Sequence, residues 1–369
     1  MTHAKKVLLV TLLFTVCAAG FHAEELIQTA ILLDTSSSMD GLISQAKTKL
    51  WKIVNELALA KRRGASPALE VAVYEYGNDG LDEAAGYIRQ VLPLTRDLDK
   101  VSESLFALTT NGGSEYCGQV IERAARDLAW DKNAAVLKLV YIAGNEEFNQ
   151  GRVDYKAACR EAIGRGIIVN TIYCGDNAEG ARTFWLSGSE LADGQYFSID
   201  QNAVTAYIKA PQDQEILKLN AELNKTYLAY GKEGRAGREL QAAQDTNAAS
   251  SGAGVIVERS IAKSKAQYAN DRWDLVDAVN AGKVNPAELN EDEMPAELRD
   301  KTPAEQKQII EAKTKERAAI QKKISDLEKE RRAFIAKEQK AAGDKSTLDA
   351  AILKSVRTQA GKQHYTFEE

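Results

Sequence analysis

Residues 31–39 read Ile-Leu-Leu-Asp-Thr-Ser-Ser-Ser-Met, and this stretch decides the fold. An apolar strand runs directly into a polar turn in which Asp34, Ser36 and Ser38 occupy alternate positions. One carboxylate and two hydroxyls are hard oxygen ligands of the kind that Mg²⁺ takes, together with several retained waters. Helix capping is the alternative, because Ser and Asp side chains after a strand often accept hydrogen bonds from free N–H groups at a helix start.

The sequence around this stretch alternates short apolar runs with amphipathic segments from Leu26 to about Ile208. The predicted strands are Leu26–Leu33, Leu69–Tyr76, Tyr87–Leu92, Val136–Ala143, Ile167–Tyr173 and Tyr196–Ile199. The third follows the second without an intervening helix, so we expect it to be an antiparallel edge strand. The whole pattern predicts an α/β fold: a doubly wound, mostly parallel six-stranded sheet with helices on both faces.

Two more loops should meet the Asp34 turn, because ligands of such sheets bind beyond the carboxyl ends of the strands. Residues 109–116 read Thr-Thr-Asn-Gly-Gly-Ser-Glu-Tyr and bring the Ser114 hydroxyl to a helix start, where capping is again the alternative role. Residues 142–147 read Ile-Ala-Gly-Asn-Glu-Glu and end the fourth predicted strand with an amide and two carboxylates. The three loops predict a metal site formed by Asp34, Ser36, Ser38, Ser114 and Asn145.

With these motifs, residues 26–208 resemble a von Willebrand factor type A domain. The Asp34-x-Ser36-x-Ser38 turn resembles the metal-ion-dependent adhesion site of that family. The Gly-Ser pair that ends at Ser114 resembles its second loop, where Thr is usual. The resemblance implies a bound Mg²⁺, or else Mn²⁺ or Ca²⁺, whose open coordination position accepts an Asp or Glu carboxylate from a partner protein.

The third loop departs from the family pattern, which usually places an Asp in a Thr-Asp-Gly setting. Asn145 stands at that position, within Gly-Asn-Glu, and is expected in the outer shell of the cation. An amide keeps an oxygen but loses the charge, which leaves Asp34 as the one certain anionic ligand. We therefore expect weak cation binding until the partner's acid arrives, unless Glu146 or Glu147 turns inward to restore the charge.

The N-terminus has the layout of a signal peptide. Lys5 and Lys6 precede an apolar run over Val7–Ala19, which small residues follow. The run is shorter than the roughly 20 residues of a spanning helix, although an uncleaved anchor remains the alternative. We expect residues 1–23 to be removed and the protein to be exported to the periplasm or the extracellular space. Peripheral association with the cell envelope is compatible with this layout, and no later segment predicts a membrane span.

The second half of the chain is predicted to be helical. Its expected parts are a helical region over residues 211–284, a connector over 285–302, and a long helix with a tail over 303–369. Val255–Val279 is predicted as one helix. The long helix should begin with Thr302 as N-cap and Pro303 in the first position, and run to about Ala342. Its apolar positions Ile320, Ile324, Leu327 and Phe334 form a thin coiled-coil-like seam.

Composition and motifs argue against several classes of function. The net charge of −5 argues against a dedicated nucleic-acid binder. No nucleophile–base pair, Gly-x-Ser-x-Gly turn or phosphate loop is legible, so we expect no enzyme. Cys117, Cys159 and Cys174 leave one disulfide with a free thiol, or three buried thiols, as open alternatives. The favoured hypothesis is an exported protein-binding module; the alternative is a metal-free structural scaffold in the cell envelope that acts through its C-terminal helices.

Overall fold

The computed structural model describes residues 25–199, 207–341 and 348–367. The predicted signal peptide, over residues 1–23, lies outside the described residues. None of the helices within the described ranges combines the length and the apolar character that a membrane span requires.

Most of the strands form one central sheet. The strands are β1 Leu26–Asp34, β2 Ala60–Arg62, β3 Ala68–Tyr76, β4 Ile88–Thr95, β5 Leu137–Gly144, β6 Ile167–Tyr173, β7 Tyr196–Ser198 and β8 Tyr365–Phe367. The sheet has the order β4-β3-β1-β5-β6-β7, and every pair in it is parallel except β3 with β4. The predicted doubly wound sheet and its antiparallel edge strand are therefore confirmed.

The central strand β1 is covered on both faces because its apolar side chains alternate between two cores. Ile31 and Leu33 pack into one hydrophobic cluster, whereas Leu32 packs into the other. All three are buried, as expected for an interior strand of a parallel sheet. This burial holds the carboxyl end of β1, where Asp34 follows Leu33, in a fixed place on the sheet.

The α-helices cover both faces of the sheet and continue beyond it. They are α1 Ile43–Leu57, α2 Leu98–Ala107, α3 Cys117–Asp127, α4 Tyr155–Gly164, α5 Asn177–Arg182, α6 Trp185–Glu190, α7 Asp213–Asn224, α8 Gly234–Ser250, α9 Ala253–Lys263, α10 Leu275–Asn280, α11 Pro303–Ala341 and α12 Leu348–Lys362. Side chains of α3, α4 and α6 share the cluster on one face of the sheet. Those of α1 and α2 belong to the cluster on the other face.

The helical half packs onto the α1 and α2 face of the sheet. Leu50 of α1 lies in the same hydrophobic cluster as Leu219 of α7, Val257 of α9, Ile324 of α11 and Val356 of α12. Buried hydrogen bonds and an ion pair also connect α2 with the helical half. One apolar core thus extends from the sheet through α1 into the C-terminal helices, which lie against the domain instead of standing apart as a spacer.

The long helix begins as predicted and finds its partners within the chain. The N–H of Thr302 donates to Glu305 at 2.8 Å, and the N–H of Glu305 donates to the Thr302 hydroxyl at 3.3 Å, which is a capping box. The helix has 39 residues. Buried Ile320 and Ile324 of the predicted seam pack in the same core as α7 and α9, so this stripe is covered inside the protein.

Two predictions about the second half are wrong in detail. The expected helix over Val255–Val279 is two helices, because α9 ends at Lys263 and α10 starts after Asp274, whose carboxylate caps the Asp277 N–H. The tail after the long helix also has structure. It forms α12 and then β8, which pairs antiparallel with β2. Signals this short are ambiguous in sequence because two three-residue strands carry almost no periodicity.

Candidate metal centre

Asp34 is the centre of the predicted site and is fully buried at the end of β1. Its Oδ1 accepts a hydrogen bond of 2.8 Å from the N–H of Ser36. Its Oδ2 is also buried, yet it accepts no hydrogen bond from any residue that the structure describes. Buried carboxylate oxygens are nearly always satisfied, so this free oxygen indicates a ligand position.

A row of side-chain oxygens continues from this turn across to the third loop. The hydroxyls of Ser36 and Ser38 lie 2.8 Å apart. Ser38 donates to Asn145 Oδ1 at 3.0 Å, and the Asn145 amide donates back to the Ser38 carbonyl at 3.2 Å. Neighbouring ligands of an octahedral Mg²⁺, bonded at about 2.1 Å, lie about 3 Å apart, so this spacing fits adjacent coordination positions.

The capping alternative is not what these side chains do. Helix α1 begins after Leu42, without a side-chain cap from Ser38 or Asp40. The short 3₁₀ turn that starts after Ser36 also has no side-chain cap. The second loop is joined to the first instead, because the N–H of Gly112 donates to the Ser37 hydroxyl at 2.7 Å. The polar side chains of the turn therefore connect loops.

The second loop places Glu115, which was not among the predicted ligands, beside the first loop. Ser114 is half-buried and does not cap α3, whose N-cap is Tyr116. Glu115, the next residue, is buried, and its carboxylate and the side chain of Ser36 both adjoin the point that a Cβ on Gly113 would occupy. Ligation by Ser114 stays a prediction.

Glycines make room for these side chains. A Cβ on Gly77 would lie 2.8 Å from Asp34 Oδ1, and one on Gly144 would lie 3.0 Å from Asp34 Oδ2. A Cβ on Gly113 would lie 2.5 Å from the Cβ of Ser36 and would overlap a carboxylate oxygen of Glu115. The backbone thus approaches the two acids closely on several sides, and any larger residue would fill the space around them.

The electrostatics of the site are those of acids without a counter-charge. The pKa of Asp34 is raised from 3.8 to about 7, chiefly by burial; the nearby carboxylates of Glu115 and Glu146 act in the same direction, and the interactions with Ser36 oppose them. Burial and then Glu146 also raise the pKa of Glu115. A divalent cation would remove this penalty, because it stabilises the ionised form of each acid.

The donor set fits a hard divalent cation. Within the described ranges, no three His, Cys, Asp or Glu side chains gather as a metal cluster. The oxygens at this edge are instead carboxylates combined with two hydroxyls and an amide, which is chemistry suited to Mg²⁺, Mn²⁺ or Ca²⁺. The residues present therefore fit the cation that the fold implies.

The cysteines take no part in this site. Cys117, Cys159 and Cys174 are all buried free thiols, so the second of the two open alternatives holds. Burial raises the pKa of Cys117 well above its ordinary value, which opposes formation of a reactive thiolate. Tyr74 and Trp185 are buried as well.

These observations define a class of protein, namely a doubly wound α/β domain that gathers oxygen ligands at the carboxyl edge of its sheet. A family model described as von Willebrand factor type A domain matches residues 30–208. This part of the chain is a von Willebrand factor type A domain, as its motifs predicted.

Solved structures of low identity align with the same half of the chain. The conserved hypothetical protein BatB from Bacteroides thetaiotaomicron is 16% identical at a TM-score of 0.37, over 48% of this chain and 95% of its own. Mussel byssus proximal thread matrix protein 1, with a zinc-occupied MIDAS motif, is 12% identical at a TM-score of 0.37, over 50% of this chain and 43% of its own. The pilus adhesin SpaC from Lactobacillus rhamnosus GG is 13% identical at a TM-score of 0.36, over 49% of this chain and 28% of its own. No curated protein matches the chain.

Proposed function

We propose that this protein is an exported, non-catalytic binding module that uses a divalent cation to engage a carboxylate of a partner protein. The observation that carries the proposal is the free, buried Oδ2 of Asp34 in the same turn as the adjacent hydroxyls of Ser36 and Ser38. The coarser part of this function, a domain from a family of protein-interaction modules, follows from the family match.

Each residue has a definite part in the proposed site. Asp34, Ser36 and Ser38 would hold the cation, and Asn145 would orient Ser38 from the outer shell through their paired hydrogen bonds. Ser114 of the second loop would supply a further hydroxyl ligand. When bound, the cation supplies a Lewis-acidic coordination position that an Asp or Glu of the partner occupies. Mg²⁺, Mn²⁺ and Ca²⁺ all accept such oxygen ligands.

Export is part of the proposal and rests on the N-terminal pattern. Lys5 and Lys6 before the apolar run over Val7–Ala19 support a signal peptide and hence a periplasmic or extracellular location. The expected partner is a protein with an exposed Asp or Glu, with no role for nucleic acid. The C-terminal helices share a hydrophobic core with this domain, so the proposed module includes both halves of the chain.

The test is retention of partner proteins from the exported fraction of the source cells. Immobilised wild type should retain proteins in Mg²⁺ and release them in EDTA, whereas Asp34→Ala should retain none of them. Glu147→Gln is the matched control, because Glu147 is an exposed acid on the third loop. Retention of the same proteins by Asp34→Ala, or in EDTA, would support the metal-free scaffold instead.

A further inference from the structure

The charge balance of the site is the starting point. Among the five predicted ligands Asp34 is the one acid, because Asn145 replaces the acid that the third loop of this family usually carries. A divalent cation with one carboxylate ligand keeps a net positive charge and binds weakly. A second acid within the site would change both properties.

Glu115 lies where a second acid is needed. It is 6% exposed, although it belongs to a loop, and its carboxylate adjoins the side chain of Ser36 at the point that a Cβ on Gly113 would occupy. Its Cγ lies 2.9 Å from the point that a Cβ on Gly77 would occupy, and Asp34 Oδ1 lies 2.8 Å from the same point. The two acids therefore approach each other across a glycine that has no side chain to separate them.

The local backbone is built to permit this approach. Gly77 has a φ of +78°, and Gly113, two residues before Glu115, has a φ of +158°. Any side chain at Gly113 would collide with the Glu115 carboxylate and with the Cβ of Ser36. Glycine is favoured at both positions for two reasons: it tolerates the positive φ, and it has no Cβ that would collide with neighbouring side chains.

An independent observation points to a ligand at Asp34. Asp34 Oδ2 is buried and accepts no hydrogen bond from the described residues, so the cluster is incomplete as the protein alone. Two buried carboxylates in one site oppose each other unless a cation joins them. We propose that Glu115 binds the cation as its second anionic ligand and replaces the charge that Asn145 lacks, an inference that rests on the proposed function.

The third-loop acids are less suited to that task. Glu147 is exposed, and the backbone carbonyl of Glu146 is held by the indole N–H of Trp185 at 2.7 Å. Glu146 is half-buried and acts on Asp34 and Glu115 through its charge. The sequence led us to expect that one of these two would restore the lost charge, whereas the geometry assigns this role to the second loop.

The experiment is a Mn²⁺ titration of the full chain, with free Mn²⁺ measured by electron paramagnetic resonance. Wild type is compared with Asp34→Ala, Glu115→Gln, Glu146→Gln and Glu147→Gln. Glutamine at position 115 keeps the size and shape of the side chain and removes its charge. Circular dichroism and thermal unfolding in EDTA establish that each variant is folded.

We expect Asp34→Ala to abolish binding, Glu115→Gln to raise the Kd at least tenfold, and Glu147→Gln to change it less than twofold. If wild type binds Mn²⁺ and Asp34→Ala does not, but Glu115→Gln matches Glu147→Gln, the role of Glu115 is refuted while the proposed function stands. A loss confined to Glu146→Gln would also refute it. Absence of Mn²⁺ binding by wild type at millimolar metal would overturn the proposed function as well.

Discussion

Two groups of buried acids in this protein differ in how their charge is satisfied. At the boundary between the sheet domain and the helical half, Arg259 contacts Asp99 at 2.7 Å and Asp245 at 2.6 Å, and Lys263 contacts Asp245 at 2.7 Å. At the carboxyl edge of the sheet, buried Asp34 lies near buried Glu115, and one Asp34 carboxylate oxygen accepts a backbone N–H while the other has no donor among the described residues.

The pKa shifts express this difference. Burial alone would raise the pKa of Asp245, but Lys263 and Arg259 outweigh it and hold that pKa at about 2. Burial raises the pKa of Asp34 to about 7, with the neighbouring acids acting in the same direction. The first group is complete within the chain and is structural. The second leaves a buried carboxylate oxygen without a donor among the described residues, which is the pattern expected of a binding site.

Breaking the structural group should have the largest effect on stability. Arg259→Met would leave Asp99 and Asp245 buried without their shared partner, and removal of one member of such a group costs about 3–5 kcal/mol. We expect the free energy of unfolding in urea to fall by this amount, equally with and without Mg²⁺. The control is Arg235→Met, which breaks an exposed, solvent-screened pair with Glu239 and should leave the stability nearly unchanged. Equal losses in the two variants would contradict the structural role.

Neutralising Asp34 in the second group should instead raise the free energy of unfolding. Asp34→Asn keeps an oxygen for the Ser36 N–H but removes a buried charge, so we expect it to stabilise the protein in EDTA at pH 8. One pKa unit corresponds to about 1.4 kcal/mol, and the rise from 3.8 to about 7 predicts a gain of roughly 2–4 kcal/mol. Chemical unfolding measures it, with Glu147→Gln as the exposed control. Saturating Mg²⁺ should stabilise wild type and leave Asp34→Asn unchanged.

The gain in stability from Asp34→Asn should increase as the pH rises. The folded protein keeps the Asp34 proton to about pH 7, whereas the unfolded chain releases it near pH 4. The folded state therefore binds more protons between these values, and wild type in EDTA loses stability as the pH rises from 4 through 7. Asp34→Asn lacks this contribution, so the two proteins should be nearly equal at pH 4 and diverge by pH 8. A difference that stays constant over this range would count against the burial of an ionised Asp34.

Much of the fold was predictable because its signals are local. The apolar stretch before Asp34 predicts a buried strand, and Thr302 with Glu305 predicts the start of the long helix. The return of the tail was not predictable, because it depends on contacts between distant residues. Gln359 of α12 and Asn170 of β6 donate to each other's side-chain oxygens, at 2.7 and 3.1 Å, in a buried pair that no local pattern reveals.

The sequence predicted which three loops meet at the site, but it did not predict that Glu115 of the second loop lies beside Ser36. The positions of Asp34 and Ser38 could be predicted because polar residues occupy alternate positions in the turn that follows an apolar strand. The second loop depends on Gly112 and Gly113, whose φ angles of +56° and +158° only glycine adopts readily. These dihedral angles decide that Glu115 faces Ser36, and composition alone does not determine them. The sequence pattern therefore identified the edge of the sheet but not every side chain on it.

Asn145→Asp restores the acid in the third loop and has the smallest expected effect. Its effect on Mn²⁺ affinity should depend on whether Glu115 is present in the second loop. In wild type, Asn145→Asp should tighten Mn²⁺ binding less than threefold, because Asp34 and Glu115 already balance the cation. In Glu115→Gln, the same change should recover most of the tenfold loss, which corresponds to about 1.4 kcal/mol of coupling between the two positions. Mn²⁺ titrations of the four proteins in this cycle measure that coupling. Equal gains in both backgrounds would mean that the two positions act independently, and the acid at position 115 would then be no substitute for the missing one.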